Sequence, residues 1–354
     1  AEIDLVGIAL MYREGYGRQH IDEDGNQSES FATIDPAEHL IDTGLELSLP
    51  LDGENLFSKI WKVEIIGETG HCVPVYFLDT HHPENSESHQ KLGARLYGGD
   101  DSVRIRQEYL LGVGGVKLLH LLEKDIDGLH LNEGHCTFAL LEMLKMGWSR
   151  NELQKRTLFT THTPVPAGHD RFEWDEVKSV LGDLFPNDAK ELVIQAGDPE
   201  NGNRCSMSHL AVALSGKINA VSNLNAWVAS DMFGEHHINP ITNGVHHKTW
   251  TSPTMKELFD KQLPGWRSDP TQLSYAGNIS DEEILNSREE NRAIFRELVK
   301  ASSGIELNKK CLTIGFARRF ATYKRANLVF SDLERLRAFG AGKIQFVFSG
   351  KVHP

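Results

Sequence analysis

Arg318-Arg319-Phe320-Ala321-Thr322-Tyr323-Lys324-Arg325 sets four cations within eight residues, directly after the strand-like run Leu312 to Ala317. An arginine offers a planar fork to phosphate oxygens and a lysine a compact point charge. A helix start here would add backbone N–H groups and the positive end of a dipole. The same residues also suit a solvated basic helix start, and their position at a strand end favours a ligand. Leu131-Asn132-Glu133-Gly134-His135 places a carboxylate and an imidazole on another strand-end loop. Such a pair hydrogen-bonds sugar hydroxyls or exchanges protons, or else serves as loop and cap chemistry with Asn132 or Thr137 starting the next helix. Thr160-Thr161-His162-Thr163-Pro164 likewise delivers an imidazole from a strand end into a proline-fixed turn.

Other chemistries find less support. The chain has 17 histidines, and His81-His82, His236-His237 and His246-His247 are adjacent pairs. Neighbouring residues point apart on a strand and about 100° apart on a helix, so they rarely chelate one ion, and no metal site is expected. Gly112-Val113-Gly114-Gly115 lacks the spacing of a dinucleotide or P-loop fingerprint and reads as close helix packing. No Gly-x-Ser-x-Gly elbow supports a serine hydrolase.

Loops of this kind need strands to carry them. Strand-like runs at Ile3 to Leu10, Val63 to Ile66 and Val73 to Leu78 precede a helical pattern from Arg104 to Leu122. Strand–loop–helix units follow at Gly128 to Met146 and from Thr157, with a helix–strand–helix passage over 205–234. The segment 251–280 holds Pro253, Pro264, Gly265 and Pro270 and reads as a connector; an amphipathic helix from about Asp281 to Ala301 follows, then strands Leu312 to Ala317 and Ile344 to Phe348. The alternation predicts an α/β protein with parallel sheets in two lobes, whose ligands sit at the carboxyl ends of strands.

At 354 residues the chain has room for two domains. A net charge of −13 argues against a general nucleic-acid binder. Cys72, Cys136, Cys205 and Cys311 show no paired spacing, and neither a membrane span nor a leader peptide is evident. A cytoplasmic protein with no membrane partner is expected. Both ends are abrupt, and the chain is expected to be an internal piece of a longer enzyme.

Taken in order, the segments resemble the α-glucan phosphorylase family of glycogen, starch and maltodextrin phosphorylases, closest to its compact bacterial and archaeal branch. The matching runs are Leu10 to Tyr16, Ile21 to Gly25, Leu96-Tyr97-Gly98-Gly99-Asp100, Arg106-Gln107-Glu108 and Leu131 to His135. His162 to Gly168, Thr242-Asn243-Gly244-Val245, Arg318 to Arg325 and Gly350-Lys351-Val352-His353-Pro354 complete them. The resemblance implies a two-lobed GT-B-type glycosyltransferase fold with an active site in the cleft. Residues 1–250 would form the N-terminal glucan-binding and catalytic lobe, 251–280 the connector and 281–354 the start of a Rossmann-like coenzyme lobe. It also implies pyridoxal 5′-phosphate, used through its phosphate, and phosphorolysis of an α-1,4-glucan to α-D-glucose 1-phosphate with retention. Homodimers are common in the family.

Carried over by position, Arg319 and Lys324 resemble the residues that hold the substrate and coenzyme phosphates. Tyr323, His162 and Asn243 resemble contacts to the glucosyl unit, His162 partly through its backbone carbonyl. Asp100 falls in a gate loop, and Glu133 and His135 lie on the acceptor side. The family usually has Ser-Lys/Arg-Leu-His where this chain has Ser222-Asn223-Leu224-Asn225. The coenzyme lysine with its Gly-Thr-Ser-Gly-Met-Lys run is not in the sequence, so the chain by itself is expected not to turn over. The alternatives are a nucleotide-sugar transferase of the glycogen or starch synthase type, which shares the fold, and a non-catalytic glucan-binding paralogue.

Overall fold

Leu47, Leu49 and Leu51 alternate with Glu46, Ser48 and Pro50, and this period of two buries one face of a long strand. A computed structural model of the chain describes residues 3–67, 69–96, 98–186, 196–198, 204–234 and 236–351. Tyr97 in the Leu96 to Asp100 run, and Val352, His353 and Pro354 in the last, lie outside the described residues. The chain divides into two compact units, Ala1–Asn243 and Gly244–Pro354.

In the first unit, strands β1 (Gly7–Leu10), β2 (Ile41–Leu51), β3 (Glu54–Ile66) and β4 (Cys72–Asp79) form a mixed sheet in the order β1-β4-β3-β2. β1 runs parallel to β4 and the other pairs are antiparallel. Asp52 and Gly53 join β2 to β3 with φ of 54° and 79°. Two consecutive left-handed residues are what a two-residue hairpin of matching twist requires, and Asp-Gly supplies them. Leu49, Leu56, Ile60 and Leu78 are fully buried on the inner face, each stabilising by roughly 1.5–3 kcal/mol relative to exposure. The strand expected from Ile3 begins only at Gly7.

Helix α1 (Asp101–Tyr109) continues through a π-helical turn at Leu110–Gly114 into α2 (Gly115–Leu121). A four-stranded parallel sheet then forms from β5 (Leu129–Asn132), β6 (Thr157–Thr161), β7 (Lys217–Ala220) and β8 (Asn239–Pro240), in the order β8-β7-β6-β5. The helices α3 (Phe138–Lys145), α4 (Arg150–Arg156), α5 (Trp174–Leu181), α6 (Met207–Leu214) and α7 (Asn223–Phe233) connect and cover it. Ser149 and Glu152 form a reciprocal capping box at the start of α4. The glycine run 112–115 is a packing device, as its spacing suggested: a Cβ on Gly112 would stand 2.7 Å from the Ala139 nitrogen.

The second unit begins with helices. Segment 251–280, expected as a connector, folds into α8 (Pro253–Gln262) and a 3-10 stretch, Pro270–Asn278, beside α9 (Asp281–Ser303). Leu258, Leu263, Trp266 and Ile279 give these elements a core of their own. Pro253 and Pro270 stand at the first turns of helices, where a missing N–H costs nothing, so prolines that read as breaks are starts. Strand β9 (Leu312–Ala317) pairs in parallel with β10 (Ile344–Ser349), with α10 (Leu333–Gly340) in the connection. The molecule is thus α/β with mixed sheets. Among the described residues no helix is long and apolar enough to cross a membrane.

Candidate active site

The carboxyl ends of β5 and β6 lie side by side, and Glu133 ties them together. Its N–H donates to the Thr160 carbonyl at 3.0 Å, extending the ladder by one residue. Its carboxylate Oε1 then accepts the backbone N–H groups of both His162 and Thr163, the latter at 2.8 Å. Glu133 adopts φ 65°, ψ −177°, a region that is essentially glycine-only and costs on the order of 1–3 kcal/mol for another residue. That conformation turns the chain sharply from β5 into the 3-10 turn Gly134–Cys136, where Gly134 fits against Met207. His162 also faces Asn132, with Nε2 2.6 Å from Oδ1. The His162 carbonyl accepts from Asn225 Nδ2 at 3.4 Å. Asn225, one of the two amides in the Ser222 to Asn225 run, therefore reaches the same peptide.

His135 is the centre of a second group. Its Nδ1 is 3.0 Å from Asp170 Oδ2 and 3.3 Å from Arg104 Nη2, and Arg104 Nη2 donates to Asp170 at 3.1 Å. Glu108 lies behind them, 3.7 Å from His135 Nδ1 and 3.8 Å from Arg104 Nε, with neither carboxyl oxygen hydrogen-bonded among the described residues. Burial pushes Glu108 up to about 8, with His135 opposing and Asp170 reinforcing the rise. The bond to Asp170, then the Glu108 carboxyl beside it, raise His135 to about 9. Burial acts to raise Asp170, but His135, Glu108 and the Arg104 guanidinium outweigh it and hold that carboxylate well below its usual range. The shifts favour the protonated forms of Glu108 and His135 beside the Asp170 carboxylate and the Arg104 guanidinium. Glu108, His135 and Asp170 offer three ligand atoms within 4.8 Å of one another, and the Arg104 guanidinium lies among them, donating to the Asp170 carboxylate.

A buried imidazole fastens the loop that carries both His162 and Asp170. His169 bonds Ser208 Oγ through Nδ1 at 2.7 Å and the Thr163 carbonyl through Nε2 at 3.0 Å, and its ring stands edge-on to Phe233. Burial lowers its proton affinity, which keeps the ring neutral so that one nitrogen donates and the other accepts.

The remaining sequence candidates are placed as follows. Asp100 is exposed and caps α1, accepting from Val103 N at 3.1 Å; α1 in turn carries Arg104 and Glu108. Asn243 is exposed, its N–H bonded to the Val221 carbonyl at 3.1 Å, just past β7. Glu133 and His162 are brought together, and His135 joins groups that sequence reasoning passed over, Arg104 and Asp170. In the second unit the cationic run after β9 does not start an α-helix. It forms 3-10 turns at Thr322–Lys324 and Ala326–Phe330, joined by a left-handed Arg325 with φ 50°. Lys324 Nζ stands 5.0 Å from the Tyr323 ring centre. Arg318, Arg319 and Arg325 form no ion pair among the described residues, although acidic side chains outnumber basic ones, 50 to 37. Cations this close in sequence and without ion-pair partners among the described residues have the chemistry that phosphate oxygens call for.

No family model matches the chain. Individual relatives do. A maltodextrin phosphorylase of Thermococcus litoralis is 35% identical over 99% of this chain and 47% of its own length. A glycogen phosphorylase of Mycobacterium tuberculosis is 30% identical over 99% of the chain and 47% of its own, and one of Aquifex aeolicus 29% identical over 99% and 57%. The chain spans about half the length of the curated relatives it matches. Over 99% of its length the chain is similar to maltodextrin and glycogen phosphorylases, and it matches about half of such a protein.

Proposed function

We propose that the protein containing this chain is an α-glucan phosphorylase, cleaving α-1,4-linked glucan with inorganic phosphate to α-D-glucose 1-phosphate, with retention of configuration. The observation that carries this reading is the near-complete alignment with a maltodextrin phosphorylase and glycogen phosphorylases. In the reaction the glucosyl C1–O bond breaks, the departing glucan oxygen takes a proton from inorganic phosphate, and an oxygen of that phosphate forms the new bond to C1. The carbon becomes cation-like as the bond breaks. A carbonyl dipole held in place beside it stabilises that charge without reorganising, and the His162 carbonyl, tied by Asn225, fills this role.

Arg319 and Lys324 hold phosphate oxygens, a fork and a point charge respectively. Asp100, His135, Asn243 and Tyr323 contact the glucan, with Glu133 on the acceptor side. Pyridoxal 5′-phosphate, when bound, supplies a phosphate that passes a proton to and from inorganic phosphate, and Arg319 and Lys324 are the residues of this chain that fit it. A two-lobed GT-B arrangement, with residues 1–250 as the N-terminal lobe and 281–354 opening the coenzyme lobe, belongs to the same proposal, as do cytoplasmic location and a homodimer.

The test is release of glucose 1-phosphate from glycogen and inorganic phosphate by the full-length protein loaded with pyridoxal phosphate. Transfer from a nucleotide sugar without phosphorolysis overturns the proposal in favour of a synthase. Tight maltodextrin binding with neither reaction overturns it in favour of a glucan-binding paralogue. The 354-residue chain by itself is expected to be inactive in the same assay.

A further inference from the structure

We infer that Glu133 is a positioning residue whose carboxylate acts on the protein's own backbone, clamping the His162–Thr163 peptide units and so fixing the direction of the His162 carbonyl. The inference rests on the reading of the site proposed above and changes the part Glu133 plays in it, from a group facing the glucan to one facing the protein.

Three observations carry it. First, Glu133 Oε1 accepts from two successive backbone N–H groups, those of His162 and Thr163, and neither amide has a backbone acceptor among the described residues. Without that carboxylate both donors lose their partner. Second, Glu133 holds φ 65°, ψ −177°. A non-glycine residue stays in such a region only where its surroundings over-determine it. Here its own N–H is fixed to Thr160 and its carboxylate to the next strand's loop, so the strain and the clamp are one device. Third, every other tie on His162 is weaker in kind. Asn132 meets only the exposed ring, and Asn225 donates to the carbonyl at 3.4 Å, a distance near the limit of a useful bond. A carboxylate accepting two N–H groups is charge-assisted and sets the peptide plane. The peptide plane sets where the 162 carbonyl points.

The same residue begins the turn bearing His135. One strained position therefore aligns two candidate groups from different strands, which a side chain engaged with a mobile glucan could not do.

The test uses the full-length protein with bound coenzyme, carrying Glu133→Gly or Glu133→Gln. Backbone amide hydrogen exchange and steady-state phosphorolysis of maltoheptaose are both measured. Glycine adopts the positive φ without strain, so that variant loses the clamp without a folding penalty from the backbone. Glutamine keeps an acceptor oxygen at the same place. In Glu133→Gly the amides of residues 162 and 163 are expected to exchange about tenfold faster or more. Its kcat is expected to fall about 10–100-fold, as small misplacements do, with KM for maltoheptaose within about twofold. Glu133→Gln is expected to restore slow exchange and to keep kcat within about threefold of the parent.

Unchanged exchange in Glu133→Gly overturns the clamp. So does a rise in KM of about tenfold at constant kcat, which is the mark of a glucan contact. Exchange needs no turnover, so a wild-type protein without phosphorolysis rejects the proposed activity while the amide data still decide the clamp.

Discussion

Asp170 Oδ2 stands 3.0 Å from Nδ1 of His135, joining residues 35 apart in sequence across two strand-end loops. Because the Asp170 bond is the main cause of the raised proton affinity of His135, Asp170→Asn is expected to bring His135 down from about 9 toward its ordinary 6.5. Imidazole chemical shifts followed through a pH titration give the value directly. A ring that still titrates near 9 in the variant shows that Glu108 alone sustains the shift.

The same cluster makes stability depend on pH. Glu108 is raised from 4.5 to about 8, so the folded chain binds a proton there that the unfolded chain releases, and stability falls as pH rises through that interval. His135, raised from 6.5 to about 9, acts in the same direction: its contribution is complete below 6.5 and lost through 9. Asp170, depressed below its usual value, contributes above that value and is lost only in strong acid. Thermal midpoints are therefore expected to decline between pH 6.5 and 9. Glu108→Gln is expected to flatten the decline up to about pH 8, leaving the part due to His135. A parallel decline in variant and parent would place the effect elsewhere.

Gly112 tests the packing of the helices behind the site. A methyl group there meets the Ala139 nitrogen at 2.7 Å and the Cys136 carbonyl oxygen at 3.1 Å, both backbone atoms that cannot step aside. Gly112→Ala is expected to destabilise the first unit by about 1–3 kcal/mol, the usual cost of overpacking, as read from urea denaturation. An unchanged midpoint would mean that α3 shifts freely.

The cationic turn predicts a phosphate phenotype. In the full-length protein, Arg319→Ala is expected to raise KM for inorganic phosphate about 10-fold or more, the equivalent of roughly 1.5–3 kcal/mol for a charged hydrogen bond. KM for glucan is expected to change far less. Equal effects on both substrates would indicate a folding defect in the second unit instead.

Local order was legible in the sequence, and contacts at a distance were not. The run from Leu312 to Ala317 is a strand, Asp281 onward is a long helix, and the loops bearing Glu133 and His162 emerge at neighbouring strand ends. These follow from hydrophobic period and from turn residues. The partners of His135 carry no such signal. Asp170 is an ordinary loop aspartate until β6 and the His169 fastening bring it in. Arg104 was within reach, since it sits four residues before Glu108 on one helical face. Prolines 253 and 270 stand at helix starts, which sequence alone does not separate from breaks, because the same residue that ends a helix also begins one. After β9 a helix start was expected, but Arg325 enters the left-handed region and splits the segment into short turns.

The π-helical turn at Leu110–Gly114 has a bearing on which lengths of this segment a related sequence can have. Such a turn accommodates one residue more than an α-helix does over the same rise. Upstream of it Arg104 and Glu108 point to the imidazole; within it Gly112 packs against α3, and downstream Val116 seats against the core. Because the extra residue is absorbed inside the turn, deleting one residue there would regularise the helix and leave its halves facing as they do. A deletion from the α-helical stretch on either side would instead rotate them by about 100° relative to each other. Either the ion group or the packing would then face the wrong way. A change of one residue in the length of this segment is therefore best absorbed at Leu110–Gly114, the turn that already holds the extra residue.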